Sequence, residues 1–173
     1  MFCRTRTPDT IVAMASILIL GGVLPLAGAL VSQYGFGLHP CDFCLYQRYP
    51  YVLLVLLGVL SLLLPRGSLR WRLLVALGFC ALLATATLGI IHTGIEQQWL
   101  NYAGGCVSQS QPGASLADIR AAIAAAALVS CADATVLFLG LSMASWNVLW
   151  AILVAGVMAL QARYERRRDA NRY

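Results

Sequence analysis

Four long apolar runs separated by short polar stretches organise the chain, at about Ile11–Val31, Tyr49–Leu64, Leu73–Ile91 and Leu137–Ala162. A helix needs roughly 20 apolar residues to cross the hydrocarbon core of a bilayer. The runs are rich in Leu and Ala, do not alternate with period two, and are too long for strands. A backbone in lipid must satisfy its own hydrogen bonds, so helices are the form such runs take. The pattern predicts an all-α integral membrane four-helix bundle in which residues 1–173 form a single membrane domain. Its transmembrane helices fall at about 11–31, 45–64, 73–91 and 143–162, with outer loops at about 32–44 and 93–140. The second run is short unless its helix begins near Cys41, and the fourth helix starts nearer Met143 than Leu137.

Within the long outer loop, Ser115-Leu116-Ala117-Asp118 fits a capping box, and Leu116, Ile119, Ile123 and Ala127 recur at helical spacing. A short surface helix is expected there. The first run also invites reading as a signal peptide, since Arg4 and Arg6 precede it and Ala27-Gly28-Ala29 resembles a cleavage site. Its length exceeds the roughly 7–15 residues of a signal core, which favours a retained helix.

Composition strengthens the membrane assignment. Sixty per cent of residues are hydrophobic and 11% charged, against about a quarter charged in a soluble domain. The lipid bilayer is therefore the expected surrounding. The net charge is +5 and every basic residue is Arg. These arginines sit between and beyond the spans, so the charge reads as topology and no nucleic acid partner is expected. Arg4, Arg6, Arg66, Arg70, Arg72, Arg163, Arg166, Arg167, Arg168 and Arg172 fall on one side, and only Arg48 and Arg120 on the other. Positive residues mark the cytoplasmic side, so both termini and the 65–72 loop are expected inside.

The cysteines then become informative. Cys41, Cys44, Cys106 and Cys131 all fall in the outer loops, while Cys3 is in the inner tail and Cys80 is mid-span, where it reads as a small buried hydrophobe. The outer compartment permits disulfides. Four cysteines allow three connectivities, of which one pair per loop is the simplest. Cys41-Asp42-Phe43-Cys44 closes little chain if bridged, so its value is chemical rather than structural. Cys44 is expected in the first turn of a helix, with Arg48 four residues on, and both neighbours favour a thiolate there. Pro50 cannot bond to the carbonyl of Tyr46, which invites a kink or an ended turn. Arg48 at the membrane margin, against the positive-inside trend, is a candidate functional residue, with snorkelling to head groups as its plain alternative. Cys106 and Cys131 lie 25 positions apart. A bridge between them would contribute about 3.5 kcal/mol by loop closure, or serve as an exchangeable partner for the first pair. His92 could hydrogen-bond a carbonyl or manage a proton, with Glu96 one turn on.

Three blocks together resemble the disulfide bond formation protein B (DsbB) family. They are Pro40-Cys41-Asp42-Phe43-Cys44-Leu45-Tyr46-Gln47-Arg48, the stretch His92-Thr93-Gly94-Ile95-Glu96-Gln97-Gln98-Trp99 leading to Cys106, and Phe138-Leu139-Gly140-Leu141-Ser142-Met143-Ala144-Ser145-Trp146-Asn147 after Cys131. The resemblance covers nearly the whole chain. It implies a multi-pass protein of the bacterial inner membrane that reoxidises a DsbA-like periplasmic thiol oxidase, supporting periplasmic disulfide formation. It further implies catalytic Cys41, Cys44, Cys106 and Cys131. Reduced partner would attack Cys106 in a Cys106–Cys131 bridge, and Cys131 would exchange with Cys41–Cys44. Cys44 would donate electrons to a quinone (ubiquinone or menaquinone) drawn from the membrane pool that feeds the respiratory chain. Arg48, His92 and Cys44 would line the quinone site. The chain departs from the family after Cys131, where Ala132-Asp133-Ala134-Thr135-Val136 lacks the Pro-Trp pair of many relatives.

Two other functions fit the residues without the resemblance. A four-cysteine zinc site is one, although the second pair lacks compact ligand spacing and zinc leaves Arg48 unexplained; no metal is expected here. A structural membrane protein with inert disulfides is the other. Alkylation mapping tests the topology the relay needs. A membrane-impermeant thiol reagent should reach Cys41, Cys44, Cys106 and Cys131 from the same face, and labelling of the two pairs from opposite faces would make a relay impossible.

Overall fold

The structure, a computed structural model, describes residues 8–38, 40–65, 68–100, 115 and 137–171. Helix α1 spans Pro8–Leu30 and runs into a π-helical turn, Val31–Gly35. A short helix α2, Asp42–Tyr46, leads through Gln47 into α3, Arg48–Leu63. Helix α4 spans Leu69–Glu96. A two-residue-per-strand antiparallel hairpin, β1 (Leu137–Phe138) and β2 (Leu141–Ser142), precedes α5, Met143–Ala170. Among the described residues, four helical spans are long and apolar enough to cross a membrane: Val12–Gly35, Asp42–Leu63, Leu69–Glu96 and Met143–Arg168. At 1.5 Å per residue, even the shortest covers about 33 Å, enough for a core about 30 Å thick.

Local chemistry sets the helix ends. Ser68 caps α4, its side chain accepting from Trp71 N at 3.1 Å, and Ser142 does the same for Ser145 N at 3.2 Å in α5. Just past the C-terminus of α4, Gln98 takes a left-handed φ of 59°. Gln98 N and Trp99 N then bond back to Ile95 O and Gly94 O, forming a Schellman cap. The helix therefore continues beyond the expected Ile91 and carries His92 and Glu96 in its last turns. In the hairpin, Leu139 and Gly140 both have positive φ, as a two-residue turn of this kind requires; Gly140 meets that at no steric cost.

The helices pack in a ring: α1 against α3, α3 against α4, α4 against α5, and α5 back against α1. Met14, Leu18, Leu54, Leu82 and Met158 are fully buried at its centre. Outward faces carry Leu20, Leu53, Leu83, Ile152 and Leu160, all exposed to the lipid side. Cys80 joins them, exposed on α4 rather than buried among the helices as the sequence reading expected.

In lipid no hydrophobic effect drives helices together, so close backbone approach matters. Helices α1 and α3 meet at Gly22 and Gly58, where an added Cβ would lie 2.6 Å from Tyr51 O and 3.0 Å from Ile19 N. Tyr51 Oη donates to Asn147 Oδ1, and Asn147 Nδ2 donates to Thr85 Oγ1 at 3.4 Å, which links α3, α5 and α4. Pro25 lacks the N–H that would bond to Gly21 O. The indole of Trp150 on α5 donates to that carbonyl instead, at 2.9 Å. Gly22→Ala should destabilise the bundle by about 1–3 kcal/mol, while Gly28→Ala, with open space around it, should be close to neutral. Unfolding in mixed detergent micelles measures both, and equal losses would contradict this packing.

Candidate functional site

At the end of the bundle that holds the C-terminus of α4, α1, the π-turn, α2, α3, α4 and α5 enclose a cavity of about 540 Å³. That size is typical of small-molecule sites. The cavity is built where helical regularity fails. The π-turn projects Ser32 and Gln33 into it, Pro25 and its neighbours form one wall, and Gln47 breaks the helix between α2 and α3. Pro50 explains that break. With no N–H for Tyr46 O, it is tolerated in the first turn of a new helix, so α3 restarts at Arg48.

Cys41 is the N-cap residue of α2 and Cys44 lies one turn on, so both sulfurs face α4. Cys41 Sγ donates to Cys44 Sγ at 3.2 Å and lies 3.5 Å from His92 Nε2. Phe43, between the two cysteines, stacks on the His92 ring with centroids 5.8 Å apart and planes inclined by 28°. The sequence reading gave Phe43 no role, yet it fixes the imidazole against the sulfurs. His92 Nε2 is in turn 3.7 Å from Glu96 Oε1, and both side chains are buried. The bond to Cys44, and then burial, push the Cys41 thiol from 9.0 up to about 12, against a smaller lowering from His92. Cys41 therefore keeps its proton and presents it to Cys44, the better exposed of the two sulfurs.

Arg48 lines the same cavity, its Nη1 donating to Gln33 Oε1 on the π-turn at 2.7 Å. Four buried polar atoms of cavity-lining residues have no hydrogen-bond partner among the described residues: Gln47 Nε2, Arg48 Nε, His92 Nδ1 and Glu96 Oε2. Unpartnered buried polar groups are costly, and four gathered around one cavity with apolar walls favour a ligand that is largely apolar but carries hydrogen-bonding atoms. Gln33 and Gln47 were not singled out from the sequence, because a neutral amide at a helix end carries no distinctive spacing. Of the expected site residues, the structure brings together Cys41, Cys44, Arg48 and His92. Cys106, Cys131 and all of the expected surface helix except Ser115 lie outside the described residues.

The profile of the family described as disulfide bond formation protein DsbB matches residues 12–161. The chain belongs to the DsbB family. It is 28% identical over 158 residues to disulfide bond formation protein B of Dechloromonas aromatica, covering 85% of this chain and 90% of that one. It is 26% identical over 144 residues to the protein of the same name from Pasteurella multocida, covering 83% and 81%. An uncharacterised protein of Rickettsia prowazekii, RP370, is 25% identical over 152 residues, or 87% of each chain. No solved structure matches. DsbB membership makes this a multi-pass, disulfide-forming membrane protein with an oxidoreductase character.

The two cysteines of the DsbB C-x-x-C should differ in reactivity. In the reduced protein at pH 8, alkylation read by peptide mass spectrometry should modify Cys44 well before Cys41; equal rates would contradict the hydrogen-bond direction. Because the folded value of Cys41 is raised, its contribution to stability is complete below its ordinary value of 9.0 and fades as pH rises toward about 12.

Proposed function

We propose that the chain is a thiol:quinone oxidoreductase that reoxidises a DsbA-like periplasmic dithiol and passes the two electrons to a membrane quinone. The observation that carries this reading is one cavity between the spanning helices that holds both the Cys41–Cys44 pair and the unpartnered buried atoms of Gln47, Arg48, His92 and Glu96. On this reading the protein resides in the bacterial inner membrane, with both termini in the cytoplasm and the cavity at the periplasmic end.

The thiol steps balance as exchanges. A thiolate of the reduced partner attacks one sulfur of a Cys106–Cys131 bridge, its second thiol completes the partner's own disulfide, and Cys106 and Cys131 leave as a dithiol. That dithiol then reduces the Cys41–Cys44 bridge in the same way. A quinone, when bound, supplies the sink for two electrons and two protons that returns Cys41 and Cys44 to a disulfide. Arg48 would hold a carbonyl oxygen through its guanidinium, with Gln33 keeping that group oriented. Gln47 would offer a further donor. His92, between Cys41 Sγ and Glu96 Oε1, is positioned to take the Cys41 proton and share it with the carboxylate. Phe43 holds the imidazole in that line, and the apolar walls from α1 and α5 keep water from the sulfurs.

An assay with purified protein, a reduced DsbA-like partner and ubiquinone or menaquinone tests this. Cys44→Ser should abolish quinone-dependent thiol oxidation. Arg48→Gln should raise the quinone KM by about 10- to 100-fold, the worth of roughly 1.5–3 kcal/mol in a charged hydrogen bond. Full oxidation by Cys41→Ala or Cys44→Ala protein would leave two inert disulfides as the better description.

A further inference from the structure

The cluster of Cys41, Cys44 and His92 meets the requirements of a second chemistry. We propose that the reduced pair and His92 bind one thiophilic divalent cation, of the zinc class, and that the bound cation withholds the dithiol from exchange. The three ligand atoms all lie within 4.8 Å of one another, and two of the three residues are buried. Two thiolates and an imidazole form a soft donor set suited to zinc. A tetrahedral ion with bonds of about 2.3 Å to sulfur and about 2.0–2.1 Å to nitrogen separates two sulfurs by about 3.8 Å, and sulfur from nitrogen by about 3.6 Å. The Cys41–His92 edge, at 3.5 Å, already has that length. The sulfur–sulfur edge, at 3.2 Å, opens by about 0.6 Å to reach it, within the reach of a small side-chain rotation.

Two independent features support the site. His92 is held by its stack on Phe43, so the nitrogen facing the sulfurs costs little to immobilise further. Glu96 lies beside that nitrogen at 3.7 Å with its side chain 6% exposed, and its Oε2 has no hydrogen-bond partner among the described residues. A buried carboxylate there compensates positive charge at the cluster and is within reach of an ion bound by His92. The cavity supplies the path of entry.

On binding, the two thiols release their protons to solvent, two sulfur–metal bonds and one bond from the neutral His92 imidazole replace bonds from the ion to water, and no electron moves. Neither sulfur then remains a free nucleophile, and no disulfide is present to be attacked. This site differs from a four-cysteine centre because it makes no use of Cys106 or Cys131. It rests on the dithiol geometry alone and not on the identity of the electron acceptor.

The full-length protein, reduced under anaerobic conditions in detergent micelles, would be titrated with Co²⁺ and then with Zn²⁺. One cobalt per chain is expected, with a near-ultraviolet sulfur-to-cobalt charge-transfer band and the visible bands of a tetrahedral ion, all abolished by zinc. His92→Ala and Cys44→Ser should each weaken cobalt binding by about tenfold or more, with His92→Gln as the alternative if circular dichroism shows that His92→Ala has lost its helices. The Cys106→Ser/Cys131→Ser double variant should bind cobalt like the parent. Loss of the bands in that double variant would overturn the proposal in favour of four-cysteine ligation. Absence of the bands in the parent, or their survival at full affinity in His92→Ala and Cys44→Ser, would overturn it outright. In the oxidation assay, stoichiometric Zn²⁺ should slow thiol oxidation and a chelator should restore it. A chelator-treated protein that binds cobalt yet oxidises no thiol would count against the quinone reading and leave the metal site standing.

Discussion

The requirement that a lipid-embedded backbone satisfy its own hydrogen bonds governs this structure, and the site lies where that requirement is met by unusual means. Pro25 removes the partner of Gly21 O, and the Trp150 indole replaces it. The π-turn at Val31–Gly35 replaces the ordinary ladder with one longer register, seen in Phe36 N bonding to Val31 O at 3.3 Å. Gln47 separates α2 from α3 ahead of Pro50. Pro25, Gln33, Gln47 and Trp150 all line the one cavity. The carbonyl freed by Pro25 and the shifted register of the π-turn are both satisfied locally, so α1 can bend around a pocket and keep these backbone groups bonded.

Beneath the pocket, the chain of hydrogen bonds from Tyr51 to Asn147 to Thr85 joins three helices. Hydrogen bonds between membrane helices average only about 0.6 kcal/mol, so this network contributes little to stability. Its larger effect is geometric. Tyr51 and Asn147 line the cavity, and their mutual bond holds α3, which begins with Arg48, in register with α5. Gly22 on α1 and Gly58 on α3 let the two backbones approach closely, Gly22 at Tyr51 itself. Arg48 is thus positioned by two different contacts of one helix, one polar and one steric.

The existence and class of the spans were legible in the sequence because four apolar runs of helical length leave no other form in lipid. Their ends were less legible. Helix α4 reaches Glu96 because Gln98 accepts a left-handed conformation that Gly or Asn more often supplies, so the stop carried no conventional sign. The association of Cys41, Cys44, Arg48 and His92 was legible through the three blocks that resemble the DsbB family. Spacing alone placed Arg48 one turn from Cys44, whereas the break at Gln47 lets its guanidinium bond to Gln33, 15 positions earlier in the chain. That partner could not be read locally, because it depends on how the π-turn folds against α3. Cys80 illustrates the reverse error. A cysteine in mid-span reads as core in a soluble protein, but in a four-helix ring half of each helix faces lipid, and Cys80 is on that half.

The site also divides labour between two chemically identical side chains. Cys41 is buried at 4% exposure, donates its proton to its neighbour and touches His92, whereas Cys44 accepts that bond and is more open to the cavity. A dithiol must lose two protons as it loses two electrons, and a pair of equivalent sulfurs would give neither particle a preferred exit. Here the proton-bearing sulfur adjoins the imidazole and carboxylate, and the accepting sulfur adjoins the space where an apolar, carbonyl-bearing molecule would fit between Arg48 and the α1 wall. On the proposed reading, the Cys41 proton has the imidazole beside it while Cys44 faces the cavity, an asymmetry that follows from the three-residue step between the cysteines and from the Phe43 ring that stacks on His92.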